Sequence, residues 1–334
     1  MRLGTHLRKR SNCVEITPLQ ADAGFEQSPQ DRSFYQTLVR LTTRQIDDKV
    51  LDREKMGLNF LSAVNRPQLR KRMSIASRTI VSTLLAIIVG ACSKDTPVAE
   101  VKGSCADVYK APVCTWAKTQ GDSLLEVGAV VPIASIENSP AQEPMVWPPA
   151  PLAVLNIPEA ARQKSGLVHF TMYWEAGGHP PGAYMTPHFD FHFNTIASAE
   201  RNGIDCADLS KPAALPTAYA LPDIPLPPDM AKMMGVPALI GLCVPQMGMH
   251  AIPASELESK EPFRASMVVG YAHGKPIFIE PMLTKTMLME KKSFDLVIPQ
   301  IPGLAGAHPT KFHADYDATK QEYRMIFSAF ATGS

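Results

Sequence analysis

The chain has 334 residues, a formal net charge of +1, 45% apolar content and only 7% aromatic residues. That length gives room for two ordinary domains or one large one, and thirty prolines argue for turns and extended segments over a helical bundle. The charge is uneven: Met1 to Arg72 carries 14 Lys/Arg against 8 Asp/Glu, whereas Cys92 to Ser334 carries 18 against 24, so the body has no basic tract to follow a phosphate backbone and nucleic acid is not an expected partner.

Residues 1–72 show scattered charge and no sustained apolar periodicity, and are expected to be a non-native or disordered extension, with Met56 or Met73 as the true start. Residues 73–91 follow with a basic start at Arg78, an apolar run from Ile80 to Ala91, and small residues directly before Cys92. This is the three-part layout of a secretory signal. Twelve residues of helix span about 18 Å, too little for a hydrocarbon core of about 30 Å. Val89-Gly90-Ala91-Cys92 resembles the lipobox of bacterial lipoproteins, although Val89 stands where Leu is usual. The resemblance implies lipidation of Cys92, a membrane attachment through that lipid and, with Ser93 next, the outer membrane facing the periplasm.

Four cysteines then remain beyond Cys13 and Cys92, namely Cys105, Cys114, Cys206 and Cys243. In an oxidising compartment they should be paired, and the local choice among the three pairings is Cys105 with Cys114 and Cys206 with Cys243. A zinc site made from them is the weaker alternative, because none sits in a C-x-x-C pair.

Residues 92–150 read as a tether, a small cystine-closed loop and a proline-rich linker, and residues 151–334 as a β-rich globular domain. In that domain GLVHFTMYWE (166–175) and TPHFDFHFN (186–194) read as strands separated by the turn GGHPPGAY, with a short helix at 196–202. Residues 207–237, rich in Pro and Ala, predict an irregular excursion. Strands are expected near 249–253, 265–272, 275–280 and 293–298, a short helix over 281–291, and a hairpin turning at 317–320. The fold class expected is α+β, mainly antiparallel β, as a sandwich or partly closed barrel with a few short helices.

Chemistry concentrates in 186–194. Strand periodicity puts Phe189, Phe191 and Phe193 on one face and His188, Asp190, His192 and Asn194 on the other. Imidazole and carboxylate suit a divalent transition metal, Zn, Cu, Fe or Mn. Residues four apart on a strand are about 13 Å apart, so His188 and His192 do not easily share one ion, whereas Asp190 with one histidine can. A helical reading would place the two histidines at i,i+4, but Phe189 stands where the zinc-protease pattern needs Glu. His250 and Glu280 are the candidate ligands from other strands, and Glu175 and His179 flank the turn before the His-rich strand. Two blander readings compete: a solvated strand face, or Asp190 bound to Arg264. No G-x-S-x-G, Walker or dinucleotide motif is present.

The run GGHPPGAYMTPHFDFHF with PQMGMHAI and GKPIFIEPM resembles an uncharacterised bacterial secreted family. The resemblance spans about 150–330 and implies one β-rich domain without assigning a reaction. It marks 187–193, 247–250 and 277–282 as positions of a shared site. Two functions follow as expectations. One is an envelope lipoprotein with a His/Asp/Glu metal site at His188, Asp190, His192, His250 and Glu280. The other is a non-catalytic binding or assembly protein whose His-rich face meets an envelope protein or a second copy of itself.

Overall fold

The computed structural model describes residues 96–144 and 146–332. The extension, the signal segment and Cys92 lie outside the described residues. Among the described residues no helix is long and apolar enough to cross a membrane.

The alternation of Phe with polar residues produces the expected strand, β6 (His188–Asn194), with all three phenylalanines fully buried. It pairs with β5 (His169–Glu175) and β12 (Lys275–Thr284). Together with β4 (Ala153–Asn156), β7 (Tyr219–Ala220), β10 (Met249–Pro253) and β11 (Ala265–Ala272), they form a seven-stranded sheet in the order β4-β5-β6-β12-β11-β10-β7.

A six-stranded sheet has the order β1-β2-β3-β15-β14-β13. Its strands are β1 (Val98–Val108), β2 (Ala111–Gln120), β3 (Ser123–Pro132), β13 (Phe294–Leu296), β14 (Ala307–Asp317) and β15 (Glu322–Thr332). A two-residue pair, β8 (Ile224–Pro225) with β9 (Ala238–Leu239), lies in the excursion. Every pairing is antiparallel, and neither large sheet closes into a barrel. The architecture is a β-sandwich.

The core lies between the two large sheets. Phe170, Met172, Phe191 and Phe193 meet Val127, Ala129, Met325 and Phe327 in one cluster, and the Phe193 and Phe327 rings are 4.6 Å apart. Burial of both faces of β6 shows that the seven-stranded sheet is covered on its other side too. There Tyr184 of the turn, Leu239 and Leu242 just after the excursion, and Phe263 just before β11 pack on Val268, Phe278 and Met282.

Three readings are corrected. Residues 98–132, taken as part of a tether, are three strands of the six-stranded sheet; Cys105 and Cys114 stand directly opposite on β1 and β2, so the cystine-closed loop is a hairpin. The expected helix over 281–291 shrinks to Lys285–Leu288, because β12 runs on to Thr284, whose side chain accepts a hydrogen bond from the Met287 amide and caps the helix. The excursion 207–237 contains a helix, Pro228–Met234, with Pro at its start and Gly235 at its end. The expected disulfides, Cys105–Cys114 and Cys206–Cys243, are both formed, which excludes the four-cysteine zinc site.

Candidate metal centre

Sheet register builds the site. β6 presents His188, Asp190, His192 and Asn194 on the face away from the sandwich core, and all four are buried. On β12 the pairing of Ile279 with Phe193 and of Met282 with Asp190 sets Glu280 against His192, and Nε2 of His192 lies 3.2 Å from Oε1 of Glu280.

His250 arrives from β10, two strands beyond β12. It stands opposite Gly270 of β11, which stands opposite Phe278. Glycine is required there, since a Cβ would lie 2.0 Å from the Phe278 ring. That ring occupies the missing side chain's place, stacks on His192 at 4.4 Å and contacts His250 at 5.2 Å. His192, His250 and Glu280 form one trio whose ligand atoms all lie within 4.8 Å of one another.

A second trio joins His188 and Asp190 to His179. His179 belongs to the turn after β5, where the Gly178 backbone is left-handed and a Cβ would strike the Tyr184 carbonyl. The turn folds His179 back over β6. Its Nε2 lies 3.1 Å from Nε2 of His188 and 3.8 Å from Asp190, and His188 Nε2 is 3.2 Å from Asp190. Tetrahedral ligands about 2.1 Å from an ion are separated by roughly 3.4 Å, which these distances bracket.

The tautomers sharpen the case. Nδ1 of His188 faces the Thr186 carbonyl at 2.6 Å, that of His179 the Pro180 carbonyl at 2.8 Å, and that of His250 the Leu242 carbonyl at 2.9 Å. A carbonyl only accepts, so each Nδ1 carries a proton, and Nε2 of His179 and Nε2 of His188 are the nitrogens that face each other. Metal-ligating histidines are oriented in this way. Two lone pairs 3.1 Å apart repel unless a proton or cation lies between them. In the other trio Nε2 of His192 and Oε2 of Glu280 are buried without a hydrogen-bond partner, as is Oδ1 of Asp190. His192 and Glu280 are therefore close without being aligned to each other.

Burial and neighbouring charges shift these groups in opposite directions. Burial lowers His192 to about 3, with Asp190 opposing and Arg201 and His179 reinforcing, and burial also lowers His250. Burial, then the Asp190 charge, raises Glu280 to about 8 and Glu175 to about 7. At His179 burial is outweighed by the neighbouring Asp190 carboxylate, and its value rises to about 9. Asp190 is depressed because His188 and His179 outweigh its burial. A divalent ion reverses this balance by supplying the missing positive charge.

The five expected ligands thus fall into two groups. His188 and Asp190 stand apart from His192, His250 and Glu280, as the reach of a strand requires. The added ligand is His179; its signal was a histidine in a Gly- and Pro-rich turn leading into the His-rich strand. Arg264 pairs with Glu290 at 2.6 Å and not with Asp190. Supporting residues come from elsewhere: Arg201 donates to the Tyr173 hydroxyl at 2.7 Å, and the Tyr173 ring packs on His192 at 5.1 Å.

Both trios face one cavity of about 320 Å³, whose lining includes His179 and Asp190 from one and His250 from the other. No family model matches the chain, and no curated protein or solved structure is significantly similar to it.

Proposed function

We propose that this protein is a lipid-anchored metal-binding protein of the bacterial envelope, holding one divalent transition-metal ion in each trio. The observation that carries the reading is the convergence of imidazole nitrogens and carboxylate oxygens at two largely buried points, with three of the four rings oriented through Nδ1 by main-chain carbonyls. Each set is two histidines and one carboxylate. Zinc enzymes and non-haem iron proteins use such sets, leaving coordination positions open for water or substrate; copper and manganese are also compatible with the donors. The two disulfides suit an oxidising, exported setting, and the lipobox-like segment before Cys92 supplies the anchor. The polar face of β6 is buried, which favours this reading over a flat contact surface for a partner.

The test is metal content by mass spectrometry on protein purified from its host without chelators or a His-tag. Two ions per chain are expected, with His188→Ala removing one and Glu280→Gln the other. Folded protein that contains no metal and takes up none from Zn, Cu, Fe or Mn salts would sink the metal reading. Incorporation of labelled palmitate, abolished by Cys92→Ala, separately tests the anchor.

A further inference from the structure

Three ligands per ion leave at least one position free, and what reaches it is decided by the cavity. Its polar lining, the floor on which the trios lie, includes Asp190 and His250, with Glu175 and the part-exposed His179 beside them. The rest of the wall is mostly apolar, built from Trp147, Trp174, Leu239 and Leu242 with the five methionines 185, 230, 234, 247 and 282. The volume, about 320 Å³, is at the lower end of the roughly 300–1,000 Å³ typical of small-molecule sites. Unbranched methionine side chains let such a wall adapt to its occupant.

Charge narrows the class of occupant. Among the described lining residues none is Lys or Arg, and the charged ones, Glu143, Glu175 and Asp190, are acidic. A phosphate-bearing ligand would meet no lysine or arginine there. The rim is apolar and open: Val146 and Met185 line the cavity yet are 59% and 56% exposed, and Met233, beside the lining residue Met234, is 45% exposed. Such exposure around a concave mouth marks a place where apolar matter enters.

We infer that the cavity binds a small amphiphile, with an apolar body against the methionine and tryptophan wall and a single oxygen-donor head on a metal ion of the floor. The inference rests on the metal-binding reading and adds the ligand class to it. The apolar wall selects by chain length and the metal by head group.

The test uses the native protein, freed of detergent and loaded with Co(II), whose visible absorption reports its ligands. Acetohydroxamic acid is the head-only probe and octanohydroxamic acid the probe with an apolar tail. Both are expected to shift the cobalt bands, the longer one binding at least tenfold more tightly. Met234→Trp and Met230→Trp, which change half-buried positions of the helix Pro228–Met234, should remove that advantage while leaving cobalt content and acetohydroxamate binding intact. Equal affinity for the two probes, or cobalt bands that neither probe moves, would overturn this inference and leave the metal reading standing. Protein that binds no cobalt or other metal overturns both.

Discussion

His169 shows how a single residue on the face of the candidate ligands can matter without being one of them. It is fully buried on β5, opposite Asn194, and neither ring nitrogen has a hydrogen-bond partner. Burial, then the nearby Arg201 charge, lowers it to about 4. Its folded value lies below the unfolded one near 6.5, so the unfolded chain binds the extra proton and stability falls as pH drops from about 6.5 towards 4. The loss is on the order of 2–3 kcal/mol. Chemical denaturation at pH 7 and pH 4.5 should show a larger drop for the native protein than for His169→Gln; equal drops would show that His169 is not the group responsible. The ligands of β6 could be recognised in the sequence because a period of two is a local property. His179 could not be paired with His188 in that way, since their meeting depends on how an intervening turn folds back.

At the scale of strands, Gly270 is the position where the sheet makes room for the site. A methyl group there must displace the Phe278 ring, which packs against both His192 and His250. Gly270→Ala is expected to cost about 1–3 kcal/mol as overpacking and to weaken the ion at Glu280 more than the ion at His188. Isothermal titration with Zn(II) would resolve the two, and equal weakening would contradict this role. On the opposite face of the same sheet, Phe193→Ala should cost about 3–5 kcal/mol through the lost packing on Phe327, measured by urea denaturation. Strands β5, β6, β10, β11 and the closing hairpin were legible because each carries an alternating or β-branched run. Strands β1 to β3 were not: their buried positions include Ala111, Ala117 and Ala129, whose small side chains give little apolar contrast, and the closely spaced Cys105 and Cys114 resembled a loop closure.

For the whole molecule, the sandwich is a platform and the candidate ligands are on its outer face. Ions held in the folded state and not in the unfolded chain stabilise it by mass action, about 2.7 kcal/mol each at a hundredfold excess over Kd. Two such ions raise Tm by on the order of 10–20 °C for a domain of this size. Calorimetry before and after exhaustive chelation measures this directly, and an unchanged Tm would mean that the trios hold no ion.

The second disulfide links this stability to thiol chemistry. Cys243 follows Leu242, whose carbonyl orients His250, and its bond to Cys206 ties the two ends of a 37-residue separation. Opening it costs about 4 kcal/mol in chain entropy and frees the segment that aims the imidazole. With reduced thiols, His192 and Glu280 keep each other's company on β6 and β12 but lose a fixed third ligand. On the proposed metal-binding reading, that trio is completed only after the two thiols are oxidised.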